Sequence, residues 1–162
     1  MSLMRILLQF LVIALVLLSG CGSADRPAQV QNAVRTYLTT VARDITQEGA
    51  AAWRRHFIET PAFLMAVDDH IEFADSAAVD TKLPEVARAI KRIGLRWGDD
   101  LRVDAITADL AAVVTSWHED IENADGSRVP IGGLLTGLLE QHEGRWRFRN
   151  LHWSITRAAK QP

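Results

Sequence analysis

The stretch that decides the fold is Leu110–Thr156, LAAVVTSWHEDIENADGSRVPIGGLLTGLLEQHEGRWRFRNLHWSIT. Turn-forming residues cut it at Ala124-Asp125-Gly126 and at Glu143-Gly144, leaving three strand-like segments, Leu110–Ile121, Ile131–His142 and Arg145–Thr156. Immediately upstream, Leu95–Ile106 reads as a strand interrupted at Gly98-Asp99-Asp100, and Thr107-Ala108-Asp109 turns it into Leu110. Three consecutive antiparallel hairpins are the economical reading of this half.

Working back toward the N-terminus, the period changes. Val30, Val34, Tyr37, Leu38, Val41 and Ile45 recur at three- and four-residue steps, which predicts a helix over 28–48 that Gly49 ends. Residues 50–57 read as a second short helix with Trp53 and Phe57 on one side. Residues 62–67 and 71–74 form short strands joined at Asp68-Asp69-His70. A third helix is predicted over 83–93, with Val86, Ala89, Ile90 and Ile93 as its buried stripe and Pro84 in its first turn. Helices first and a long meander last is an α+β pattern.

Two pieces of this order carry a resemblance. Ala62-Phe63-Leu64-Met65-Ala66-Val67-Asp68-Asp69-His70-Ile71-Glu72-Phe73 resembles the first hairpin of the nuclear transport factor 2-like superfamily, which includes SnoaL-like cyclases and ketosteroid-isomerase-like proteins. Gly144-Arg145-Trp146-Arg147-Phe148-Arg149-Asn150-Leu151-His152-Trp153-Ser154 resembles its closing strand. The resemblance covers residues 28–156. It implies a cone: N-terminal helices packed in a strongly curved antiparallel sheet, with a pocket at the open end. Many unrelated functions use that container.

Alternation along the strands says which side chains face such a pocket. On the last strand Trp146, Phe148, Asn150, His152 and Ser154 share one face; Arg145, Arg147, Arg149, Leu151 and Trp153 share the other. Three arginines on one face cannot be core, so the first set is expected inside. Leu151 and Trp153 then form an outer patch that would suit homodimerisation through the outer sheet face. By the same counting Val113, Thr115, Trp117 and Glu119 are expected inside. With Trp53, Phe57, Phe63 and Phe73 they would make an aromatic-lined cavity with a few polar groups at its mouth.

For chemistry, His152 stands out. Its expected structural fate is a hydrogen bond to Asn150, Ser154 or a helix group; its functional alternative is ligand contact or acid/base work. The catalytic groups of ketosteroid isomerases, as the resemblance implies them, match only in Tyr37 on the first helix; the hairpin around Met65 and Ala66 is apolar where the base should stand. Scytalone-dehydratase-like chemistry would want paired histidines, and only His152 is suitably placed. His118-Glu119-Asp120 alternates across the strand, and no metal-ligand spacing occurs, so neither metal nor cofactor is expected. There is no Gly-x-Ser-x-Gly elbow.

The N-terminus gives an address. Arg5 precedes the apolar run Ile6–Leu18, too short to span a bilayer comfortably, and Leu18-Ser19-Gly20-Cys21 resembles a lipobox. Residues 1–20 are therefore expected to be a cleavable lipoprotein signal peptide, Cys21 the lipidated residue, residues 21–27 a tether and residues 157–162 a tail. Two or more acyl chains would hold the protein stably to a bilayer. Gly22 after the cysteine resembles lipoproteins sent to an outer membrane, facing the periplasm in a diderm cell. Cys21 is the only cysteine, so no internal disulfide can form. Without Arg5 the chain carries 17 basic against 20 acidic side chains and no basic stripe, which argues against nucleic acid as a partner.

The leading expectation is a membrane-anchored, non-catalytic domain binding a small apolar ligand or an envelope partner. The alternatives are an isomerase, dehydratase or cyclase using His152 as general base with Glu119 or Tyr37 assisting, and a dimeric envelope interaction module. A cone cavity below about 300 Å³ would favour the last.

Overall fold

The computed structural model describes residues 25–156. The expected signal peptide, Cys21 and the tail after Thr156 lie outside them. Helix α1 runs from Asp25 to Glu48, so the last three residues of the expected tether belong to it, with Pro27 in its first turn. Its Val30, Val34, Leu38, Val41 and Ile45 are buried at the spacing read from the sequence. Gly49, at φ +87°, turns the chain into a 3₁₀ helix, Ala50–His56.

The strands β1 (Leu64–Val67) and β2 (His70–Phe73) form the expected tight hairpin, with Asp68 in the left-handed region at φ +50°. Helix α2 spans Ser76–Ala89 rather than the expected 83–93. Its start is set by Asp75, whose side chain accepts a hydrogen bond from Ala78 N at 2.7 Å. Val79 and Leu83, not Val86 and Ala89, are its buried residues. Ile90 and Ile93 belong to β3 (Ile90–Trp97), where Ile93 and Leu95 are buried two apart. A run that satisfies the helical period thus also satisfies a strand, and pairing with the strand Leu110–Asn123 decides it. Pro84 sits inside α2, not at its first turn, and leaves the carbonyl of Asp80 without its helical donor.

The strands β4 (Arg102–Ala105), β5 (Leu110–Asn123), β6 (Arg128–His142) and β7 (Arg145–Ile155) complete one sheet. Its order is β2-β1-β7-β6-β5-β3, with β4 also paired to β5. The three hairpins are as read. The turn between β6 and β7 has positive φ at both Glu143 and Gly144, the requirement of a two-residue hairpin that matches strand twist. The sheet is not wholly antiparallel, because β1 runs parallel to β7, pairing Met65 with Leu151 and Val67 with Trp153. The core lies between the inner face of the sheet, α1 and the 3₁₀ helix.

One irregularity changes the faces. Leu138 pairs with Asn150 but its neighbour Leu139 pairs with Phe148, so Arg149 is an extra residue bulged out of β7. Strand parity reverses there. Trp146 and Phe148 face inward before the bulge; after it Leu151 and Trp153 do, both buried. Asn150, His152 and Ser154 are thereby turned to the outer side, and His152 is exposed.

Candidate functional site

The cone holds a cavity of about 230 Å³. Its aromatic wall comes from four places in the chain: Trp53 and Phe57 at the 3₁₀ helix, Phe73 on β2, Trp117 on β5 and Trp153 on β7. Trp153 is the hub. Its ring meets those of Trp53 at 5.6 Å and Trp117 at 4.7 Å, both edge to face. Aliphatic side chains, among them Met65, Val67, Leu83, Ile93 and Ile131, close the rest. The indole N–H groups of Trp117 and Trp153 are buried and meet no acceptor among the described residues.

Two carboxyl groups interrupt this apolar lining, Glu119 and Glu72. Glu119 lies on the inner face of β5, as alternation predicts. It is flanked by Leu95 across the β3 pairing and by Ile131 across the β6 pairing. Neither neighbour can solvate or pair a charge, and burial alone lifts its pKa from 4.5 to about 7. Holding the carboxylate ionised there is unfavourable by about 3 kcal/mol relative to water, at roughly 1.4 kcal/mol per pKa unit. Glu72 is different: it is half-buried and lies 3.3 Å from His70 Nε2 at the surface. Its position marks the rim.

Of the residues expected to line the pocket, Trp53, Phe57, Phe73 and Trp117 do so. Phe63 and Phe148 are packed core instead, Phe63 stacked on Phe57 at 4.7 Å. Asn150, His152 and Ser154 stand outside the cavity, moved there by the bulge at Arg149. His152 Nε2 lies 3.0 Å from the carbonyl of Asp68, to which it can only donate, and so ties β7 to the β1–β2 turn. Ser154 Oγ donates to Leu134 O at 3.3 Å. Exposed on the outer side and absent from the cavity lining, His152 is not placed to act as a general base there.

Tyr37 is also elsewhere. Its hydroxyl donates to His56 O at 3.1 Å, and burial holds the phenol far above its ordinary pKa. Beside it His56 Nε2 lies 3.3 Å from Asp44 Oδ2, and Arg55 and Arg43 bind the same carboxylate. The arginines hold Asp44 below its usual range. Burial outweighs the pull of Asp44 on His56 and lowers the imidazole to about 4, so it is neutral at physiological pH. This buried cluster joins α1 to the 3₁₀ helix and does not reach the cavity.

The outer patch of Leu151 and Trp153 does not exist, since both side chains are core. The outer face instead carries an open hollow of about 500 Å³, bordered by Arg102, Ala112, Thr136, Leu138, Asn150 and His152. Simple alternation places Trp153, the central residue of the site, on the wrong face. Its signal was present: Trp146, Phe148, Leu151 and Trp153 step by two, three and two, the spacing of a strand with one extra residue.

Comparison of the sequence finds no matching family model and no matching curated protein. Comparison of the structure finds many similar folds. A nuclear transport factor 2-like superfamily protein from Salmonella enterica serovar Typhimurium superposes with a TM-score of 0.67 at 12% identity, over 83% of this chain and 95% of that one. A provisionally assigned dehydratase of the same family from Streptomyces avermitilis gives 0.66 at 14% identity, over 82% and 99%. Hexachlorocyclohexane dehydrochlorinase LinA-type3 from Novosphingobium barchaimii gives 0.57 at 12% identity, over 80% and 90%. At these identities the likeness establishes the fold, an α+β cone of the nuclear transport factor 2-like type, and leaves the chemistry to the site.

Proposed function

We propose that this protein is a cavity-bearing domain, tethered to a membrane of the cell envelope through acylated Cys21, that binds a small and largely apolar molecule inside its cone. The observation that carries this reading is Glu119. At about 230 Å³ the cavity falls below the 300 Å³ that would otherwise speak for a mere interaction module. A packed interior, however, has no use for a half-buried carboxyl group with apolar neighbours on both sides, nor for the indole N–H groups of Trp117 and Trp153 in the same wall, which meet no acceptor among the described residues; polar groups so placed concentrate at sites that act on something. The small volume restricts the ligand to a single ring or a short chain. The interaction reading also loses its expected surface, because Leu151 and Trp153 are internal.

Native mass spectrometry of the mature protein from its own envelope tests this. Wild type should retain a small molecule that Ile131→Phe, which fills the cavity, does not. Equal spectra for the two would overturn the binding reading.

A second reading is supported by the same residue. A carboxyl group with a pKa of about 7 is suited to general acid or base work near neutral pH. Several structures of this fold carry enzyme names, including the dehydrochlorinase above. In this reading Glu119 replaces His152 as the proton-transferring group. Glu119→Gln would then abolish turnover of the retained molecule while leaving its affinity within a few-fold; unchanged turnover would exclude it.

A further inference from the structure

We propose that the molecule taken by this cavity is a small lipophilic amine, bound as its ammonium ion against Glu119 and the surrounding indole faces. The inference rests on the binding reading above and specifies its ligand class.

Three observations converge. First, among the described residues both ionisable groups on the cavity wall are acids, Glu119 and Glu72, and no lysine, arginine or histidine lines it. The neighbouring charges of β5 turn the other way: His118 and Asp120 are exposed, and Asp120 pairs with Arg96 at 3.1 Å on the outside. Second, no cation among the described residues pairs with Glu119. Leu95 and Ile131 face it from the adjoining strands, Trp117 and Ile121 precede and follow it on its own face, and Leu83 and Val86 are the residues α2 brings to the cavity. Third, three tryptophans stand in the otherwise apolar wall. Trp153 stands nearly perpendicular to both Trp53 and Trp117, and all three indoles border the cavity. A cation within about 6 Å of an aromatic face is attracted by its quadrupole, most strongly by tryptophan and more so when desolvated. A carboxylate that its own protein leaves unpaired gains its missing partner from the ligand, through a short charge-assisted hydrogen bond. The raised pKa of Glu119 is the mark of that missing partner.

Selectivity follows. An alcohol of the same length would fill the space but offer no charge, and a carboxylic acid would bring a like charge to Glu119. The test is isothermal titration at pH 8 with three probes of one chain length: hexylammonium, 1-hexanol and hexanoate. Wild type is expected to bind hexylammonium at least about tenfold more tightly than 1-hexanol and to show no binding of hexanoate. Glu119→Gln should lose the preference for the amine while keeping its affinity for 1-hexanol within about twofold, which separates a charge effect from a folding defect. Glu72→Gln should reduce the preference less, because Glu72 is at the rim. Equal binding of amine and alcohol by wild type, or preference for hexanoate, overturns the amine proposal and leaves the cavity reading standing. Failure of all three probes to bind overturns both.

Discussion

Glu119 links structure to pH in a direction opposite to most acidic residues. Its folded pKa of about 7 lies above the unfolded value of 4.5, so the folded state holds a proton that the unfolded state has lost between those limits. Stability from this group is complete below about pH 4.5 and is lost as pH rises through 7. Glu119→Gln, which keeps the shape and removes the charge, should therefore be nearly neutral at pH 4 and stabilising by about 3 kcal/mol at pH 8, as read by urea denaturation at the two values. Equal effects at both values would mean that Glu119 is solvated or paired. The inward position of this residue was legible in the sequence, because β5 alternates without interruption from Ala111 to Glu119. Its lack of a partner was not, since that depends on Leu95 and Ile131 arriving from strands 24 and 12 residues away in the chain.

At the scale of elements, the bulge at Arg149 is the device that builds the aromatic wall. The arginine itself is dispensable in this view: it is half-buried and pairs with Glu140 on the adjoining strand. Arg149→Ala should cost about 1 kcal/mol or less, the usual worth of such a pair. Deleting Arg149 restores simple alternation and must turn either Trp146 and Phe148 or Leu151 and Trp153 out to solvent. At roughly 1.5–3 kcal/mol for each large apolar side chain, the deletion should lower stability by 3 kcal/mol or more, or prevent folding, measured by chemical denaturation. A deletion as mild as the alanine variant would show that the strand does not need its extra residue. The hairpins, the first helix and the fold class could be read because each is specified by local turn chemistry and period. The boundary between α2 and β3 could not, since Val86, Ala89, Ile90 and Ile93 satisfy a helix and Ile93 with Leu95 satisfy a strand. Nor could the parallel pairing of β1 with β7, which joins residues more than 80 positions apart and leaves no local trace.

For the whole molecule, α1 relates the proposed anchor to the cavity. Its 24 residues make a rod of roughly 36 Å at 1.5 Å per residue. The proposed lipid attachment at Cys21 precedes its first residue by four positions. The cavity begins just past its other end, at Ala50 and Trp53. Between them α1 packs along the sheet, with Arg35 Nη1 donating to Leu101 O and Trp97 Nε1 donating to Leu38 O. Four extended residues reach at most about 14 Å, so an α1 directed away from the bilayer would hold the cavity beyond the lipid surface. In that proposed orientation the ligand would enter from the aqueous side, a route that suits a water-soluble ammonium better than a lipid drawn from the membrane. Lipidated protein on phosphatidylcholine vesicles should bind hexylammonium from solution within about threefold of an unlipidated chain beginning at Gly22, as titration calorimetry would report. Affinity at least tenfold weaker on vesicles, about 1.4 kcal/mol, would place the cavity mouth against the bilayer and reverse this orientation.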